Sequence, residues 1–150
     1  MLGHWRSLPH VSRWWGDPAV EPADETFRDP RIAMWIAEME GRPFAFIQDY
    51  DVHAWSPHHF DYLPAGSRGM DMYIGAPDML GLGHGSRLVR QHVDHLFSLG
   101  ALAVGIDPHP DNVAALRAFE KAGFAVAGGP LHTRWNRAIL MDRRAGASFR

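Results

Sequence analysis

Apolar positions along this chain recur with two different periods, and the switches between them mark out its elements. Across 31–40, Ile32, Met34 and Ile36 alternate with their neighbours, which predicts a strand. Gly41-Arg42 is read as a turn, and 43–52 as the hairpin partner. The segment 67–74 predicts a third strand, with Gly69, Asp71 and Tyr73 on one face and Met70, Met72 and Ile74 on a core-facing one. The period then changes: Leu88, Val89, His92, Val93 and Leu96 recur at helical spacing, so a helix runs to about Leu99. A buried strand over 101–106 follows, then a helix over 112–122 stopped by Gly123, then closing strands over 124–127 and 136–142.

Upstream, 3–15 predicts a first helix, its apolar side supplied by Trp5, Leu8, Val11, Trp14 and Trp15, and interrupted at Pro9. Gly16-Asp17-Pro18 ends it, and the acid- and proline-rich stretch to Pro30 reads as loop with a short helix about 24–28. The segment 53–66 is a long loop rich in aromatics and proline, and loops of that length are often functional.

The chain has 150 residues and 46% hydrophobic content, enough for a single domain with its own core over 1–150. It has no cysteine, which excludes disulfides, thiolate nucleophiles and cysteine-based zinc sites. With no leader-like segment and no apolar run near 18 residues, a soluble, cytoplasmic protein without a membrane partner is expected. A formal charge of −2 argues against nucleic acid as a partner. Ten histidines raise the question of a metal, but His58-His59 is the only adjacent pair and no His-Glu-x-x-His spacing occurs. No metal is expected, and the histidines are assigned to surface and loops.

Gly81, Gly83 and Gly85 alternate just where the helix begins. Without Cβ atoms, such a run turns tightly and brings its N–H groups close to a ligand. The unpaired amides and positive dipole end of the helix make an anion site there. The run lacks the Gly-Lys-Ser/Thr ending of a P-loop, and it sits mid-chain rather than after a first strand as a dinucleotide fingerprint would. Two readings stand: a phosphate-bearing ligand, or glycines that serve only a turn and close packing.

The order of elements and several motifs resemble the GNAT family of acyl-CoA N-acyltransferases. Asp107-Pro-His-Pro-Asp-Asn112, then Ala115 and Phe119-Glu-Lys-Ala-Gly-Phe124, is similar to that family's Asn-x-x-Ala-x-x-x-Tyr-x-Lys-x-Gly-Phe block. Within the family, the chain is most similar to the aminoglycoside 6'-N-acetyltransferases, through 11–16 with its Trp-Trp pair, Arg68-Gly-Met-Asp71, the glycine turn and 107–124. The resemblance implies an α/β (α+β) fold with a central mixed, mostly antiparallel sheet, helices on both faces, and a splay between the fourth and fifth family strands.

It also implies acetyl-CoA as cosubstrate and direct acetyl transfer, in a ternary complex, to a primary amine of an aminoglycoside-like or other small polyamine, an antibiotic-resistance activity. By this resemblance the diphosphate sits on the amides of Leu82, Gly83, His84, Gly85 and Ser86, and the pantetheine arm beside Met72, Tyr73 and Ile74. Asn112 and Phe119 complete the cofactor site, although Asn112 has an equally good reading as a helix cap. Asp71 becomes the catalytic base, a carboxylate on the cleft face able to take a proton from an ammonium. Asp107 joins it as a substrate-binding acid, each raising the other's pKa, unless it is simply a turn-forming Asp-Pro.

Trp14, Trp15, Trp55, Phe60 and Tyr62 are candidate walls of the acceptor site; since one of such a Trp pair is commonly core, only Trp15 is offered as a substrate contact. Asp17, Glu21, Asp49, Asp51 and Asp61 are read as negative potential at the cleft mouth. Three departures stand out: no strand precedes the first helix, leaving an open sheet edge that favours a homodimer; Leu80 replaces the family's Gln or Arg; and Phe119 replaces its tyrosine. Two competing readings are an acyltransferase on an N-hydroxy lysine- or ornithine-type siderophore precursor, and a non-catalytic acyl-CoA-binding module.

Overall fold

Proline divides the expected first helix in two. In the computed structural model, which describes residues 1–16, 29–133 and 136–146, α1 (Leu2–Ser7) ends at an extended Leu8. Helix α2 (Pro9–Trp15) starts with Pro9 in its first turn, where a missing N–H has no bond to lose. Arg6 reaches across to the Trp15 carbonyl at 3.1 Å and ties the two together. Asp17, Glu21 and the helix expected about 24–28 lie outside the described residues.

The hairpin of β1 (Ile32–Met39) and β2 (Arg42–Asp51) turns through Glu40 and Gly41, at φ 51° and 77°. That is one residue earlier than the sequence pattern predicts, because a two-residue hairpin turn needs positive φ at both positions. After the loop come β3 (Arg68–Ile74), a short 3-10 turn, α3 (His84–Ser98), β4 (Ala103–Ile106) and α4 (Val113–Lys121). Strand β5 (Ala125–His132) and β6 (Arg137–Arg144) close the chain. Strand β5 runs well past the expected 124–127 because register shifts on either side of Gly128 absorb its Gly-Gly-Pro segment at the sheet edge.

The six strands lie in the order β1-β2-β3-β4-β6-β5, antiparallel except for β3 beside β4. Among the described residues no strand precedes α1, and β1 forms one edge of the sheet. Strands β3 and β4 pair only at Arg68↔Val104 and Gly69↔Gly105, then part.

One face of the sheet packs Ile47, Met70, Val104, Ile106 and Met141 against α3 and α4 through Val89, Val93, Leu96 and Phe119. Each such fully buried side chain contributes about 1.5–3 kcal/mol. The other face carries Phe46 and Tyr73 against Trp5 and Val11 of α1 and α2. The strand alternation expected for 67–74 is what separates these two faces.

Candidate active site

The parting of β3 from β4 leaves main-chain groups without sheet partners. Gly75 donates to the Phe44 carbonyl at 2.8 Å and Val52 to the Ser67 carbonyl at 3.2 Å, which sets the phase of the β2–β3 ladder. By antiparallel alternation, residues 67, 69, 71, 73 and 75 turn their N–H and C=O groups toward β2, and 68, 70, 72 and 74 turn theirs toward β4. Beyond Gly69 there is no β4 ladder to receive them. Met72 and Ile74 therefore turn main-chain edges without strand partners to the split. The main chain of Tyr73 does not, because its groups are spent on Phe46. His10 from α2 already stands 2.9 Å from the Ile74 carbonyl.

At the far end of β3 the split meets the start of α3. Gly83 is the N-cap, in the left-handed region at φ 80°, where its lack of a Cβ permits the turn. No side chain caps this helix, so the amides of His84, Gly85 and Ser86 keep the helix's positive end open. Arg87 folds back over the turn, its guanidinium 3.0 Å from the Leu82 carbonyl, and adds a cation beside those amides. The paired Arg42–Asp78 contacts, each 2.6 Å, tie the preceding turn to the β1–β2 hairpin.

At the other end of the split two carboxyl groups meet. Extending the parallel register from Gly69↔Gly105 sets Asp71 opposite Asp107, close enough for each carboxyl to shift the other's protonation. Two buried acids this close oppose each other's ionisation, so the pair keeps a proton to higher pH than a lone aspartate. Burial, then the charge of Asp107, pushes Asp71 up to about 8, and burial raises Asp107 to about 6. Gln48 of β2, facing Asp71 across the ladder, donates to it at 3.0 Å. His59 Nε2 lies 2.7 Å from the other carboxyl, that of Asp107.

These groups open into a cleft of about 450 Å³ lined by Trp14, Trp15, Met34, Trp55, Asn112 and Phe119 among others. Trp15 packs edge-on against Tyr73 and Phe46 at 5.0 and 6.1 Å between ring centres. Trp14 also faces the cleft, against His109, so neither member of the pair is core; the core tryptophan of this layer is Trp5. Asn112 caps α4 by accepting from the Ala115 amide at 3.2 Å, and it lines the cleft as well. Phe119 is buried against Phe124 with one side on the cleft, a hydrocarbon wall with no proton to donate.

Other expectations are corrected. Phe60 is fully buried against Gly105, so it fills the core beneath the loop rather than walling the cleft. Tyr62 is exposed and donates to Asp142 at 2.8 Å, away from the cleft. Asp49 points to the opposite face, where Arg68, His92 and Trp35 hold it. Asp51 and Asp61 cap loop amides, those of His53 and His58. The histidines are not all surface either: His58 and His92 are buried. Among the described residues no group of three metal-ligating side chains converges.

The family model of the acetyltransferase (GNAT) domain matches residues 1–129. The chain belongs to the GNAT acetyltransferase family. This acetyltransferase is 31% identical over 142 residues to an aminoglycoside N(6')-acetyltransferase type 1 of Klebsiella pneumoniae, covering 85% of this chain and 69% of that one. A kanamycin resistance protein of Rhizobium radiobacter is 41% identical over 64 residues, 42% of this chain and 59% of its own. The fold is similar to that of an aminoglycoside acetyltransferase crystallised with coenzyme A and kanamycin. Its TM-score is 0.85 at 28% identity, covering 97% of this chain and 88% of the other.

Sequence reasoning did not single out Gln48, His59 or Arg87 of this acetyltransferase, and it set Trp14 aside in favour of Trp15. Gln48 had a signal, as a polar residue in a buried apolar strand run. The His58-His59 pair was noticed but tested only against metal spacing. Arg87 had none beyond its distance from the glycines.

Proposed function

We propose that this acetyltransferase moves an acetyl group from acetyl-CoA to a primary amine of an aminoglycoside-like polyamine. The observation that carries the reading is the Asp71–Asp107 pair standing where β3 and β4 begin to part. The open amides of His84, Gly85 and Ser86 suit the diphosphate of coenzyme A. The outward main chain of Met72 and Ile74 suits the amide-bearing pantetheine arm, which runs from that turn toward the two acids. The outward Met72 N–H would then polarise the thioester carbonyl as negative charge grows on its oxygen. Leu82 and Gly83 shape the turn, and Asn112 and Phe119 flank the arm.

The residues present fit that cosubstrate, and this chain's part is to bind, orient and move protons. A substrate ammonium entering between Asp71 and Asp107 displaces their shared proton to solvent, leaving two carboxylates around one cation. Asp71 then takes a proton from the ammonium, and the freed nitrogen lone pair attacks the acyl carbon. The carbon–nitrogen bond forms, the carbon–sulfur bond breaks, and the second nitrogen proton leaves for the thiolate through water, since Phe119 offers none. The acid pair ends with one proton, as it began. A base whose pKa lies near the working pH serves this transfer best, and burial has put Asp71 there.

Trp14, Trp15 and Trp55 line the cleft around the acids, a surface suited to the flat apolar faces of sugar rings between their amines. We read the whole 150 residues as one domain, working in the cytoplasm where acetyl-CoA is made. Two copies would join through the outer side of β1, whose Trp35, Ile36 and Met39 are 38–41% exposed. No helix among the described residues is long and apolar enough to cross a membrane. Thiol release from acetyl-CoA across kanamycin-type aminoglycosides and N-hydroxy lysine or ornithine tests the acceptor. Turnover of the aminoglycosides supports the reading, and turnover of the N-hydroxy amines alone replaces it.

A further inference from the structure

The loop over 53–66 brings a second titratable layer against the acid pair. His59 puts its Nε2 2.7 Å from Asp107 Oδ2, with only 8% of its side chain exposed. Its ring stacks on that of His58, the centres 4.0 Å apart. His58 is itself locked: its Nδ1 accepts from the Phe60 amide at 3.0 Å, so its Nε2 carries the hydrogen and faces the Tyr50 hydroxyl. Tyr50 can lie flat across β3 only because residue 69 is glycine, where any Cβ would overlap the ring. A stacked, locked pair of rings thus aims one imidazole nitrogen at one oxygen of the acid pair.

We infer that His59 is a positioning residue for acetyl transfer: by donating to Asp107 it keeps that carboxyl the ionised member of the pair and leaves the movable proton on Asp71. The inference rests on the acetyl-transfer reading above. Burial lowers the pKa of His59 and so favours the neutral ring near pH 7; we take the tautomer whose N–H faces the Asp107 oxygen at 2.7 Å. In this arrangement Asp107 accepts from His59 on one side and from Asp71 on the other, while Gln48 donates to Asp71 Oδ2. The other titratable groups around His59 are Asp71 from β3 and Asp61 and His58 from its own loop, with Tyr50 of β2 behind them against His58. Among these, His59 is the N–H donor that touches Asp107. Its loss leaves an ionised Asp107 without that bond, so the pair holds its proton to higher pH. The direction is fixed: a hydrogen bond to the charged form lowers a carboxyl pKa, and removing it raises the pKa.

The test is the pH dependence of kcat/KM for kanamycin at saturating acetyl-CoA, in the wild-type protein, His59→Leu and His59→Gln. In wild type, kcat/KM rises with pH as the shared proton becomes easier to displace. We expect His59→Leu to move that ascending limb up by about one pH unit, the usual size for one lost hydrogen bond to a carboxylate. The KM for acetyl-CoA stays unchanged. His59→Gln, which retains an N–H donor but no titration, returns the limb to the wild-type position. Coincident profiles for wild type and His59→Leu overturn the assignment while leaving acetyl transfer intact. A limb displaced equally in the Gln and Leu variants overturns it too, since it would tie the effect to the ring rather than the donated hydrogen. If the wild-type protein acetylates no amine, the acetyl-transfer reading falls and takes this inference with it.

Discussion

Asp49 and Asp71 sit on the same β2–β3 ribbon, in adjacent cross-strand pairs, yet their surroundings push them in opposite directions. Asp49 lies opposite Met70 and points toward α3; Asp71 lies opposite Gln48 and points into the cleft. Asp49 receives hydrogen bonds from Arg68 at 2.6 Å, Trp35 at 2.8 Å and His92 at 2.9 Å. Burial raises its pKa, but those bonds to His92, Arg68 and Trp35 together outweigh burial, and it stays below the ordinary carboxylate value. Asp71 is also buried, but its neighbours are a neutral amide and a second acid, so its pKa rises. One step along the ribbon separates an anion held by three donors from an acid that faces the cleft with no cationic partner as close. In the proposed mechanism the substrate ammonium is that partner.

That contrast breaks first in catalysis. Asp71→Asn keeps the shape and removes the base, and we expect kcat/KM to fall by about 10²–10⁴, the range for a lost general base. Acetyl-CoA affinity, measured by calorimetry, should persist because the helix N-terminus and the β3 edge are untouched. Unchanged turnover would mean the amine loses its proton elsewhere.

The opposite result is expected for Asp49→Asn. Removing the anion leaves the Arg68 guanidinium without its counter-charge and takes a charged partner from the His92 ring, a change that costs roughly 3–5 kcal/mol when a buried pair is broken. Denaturant unfolding measures it. The pH profile of acetyl transfer by the folded protein should stay where it was, because Asp49 faces away from the cleft.

The pH dependence of stability sharpens the same comparison. Asp71 binds a proton in the folded state up to about 8, against 3.8 for an ordinary aspartate. Between those values the folded protein holds protons that the unfolded chain does not, so stability falls as pH rises through the window. The contribution is full below 3.8 and gone above about 8. Asp49 works the other way, losing stability as pH drops through its depressed value. Asp71→Asn should therefore raise the Tm of the ligand-free protein at pH 8, on the order of 2–4 °C for each kcal/mol of relieved charge. At pH 4 it should change little. Calorimetric melting at the two pH values checks the sign.

Much of this was legible in the chain because it depends on local periods. Strand alternation places Asp71 on the face of Gly69 and Tyr73, and helical spacing fixes the buried side of α3. Gly83 at a positive φ is a local event as well. The parts that were not legible depend on register between distant segments. Asp71 meets Asp107 only because Gly69 pairs with Gly105 across a crossover helix. His59 meets Asp107 only through the path of a loop that has no period. Asp49 was read as cleft potential although it and Gln48 point to opposite faces; alternation held that information, but burial and the cationic partners on α3 were needed to use it. The one-residue slip at Glu40–Gly41 has a local origin instead, since positive φ at a glutamate leaves no compositional mark.

The smallest expected effect concerns Phe119, on the side of the cleft where the proposed reading places the thiolate. Its ring is 6% exposed and packs in the core with Met70, Ile106 and Phe124, so a hydroxyl added at its tip has the cleft as its one polar outlet. If proton removal at Asp71 governs turnover, a donor for the leaving thiolate adds little. Phe119→Tyr should then change kcat by less than about tenfold, or about 1.4 kcal/mol in barrier. The pH limb belongs to the acid pair and should not move. A larger gain would shift the rate-governing proton from the amine to the thiolate. The contrast between Asp49 and Asp71 would then explain how the amine is held, but not what sets the speed of the reaction.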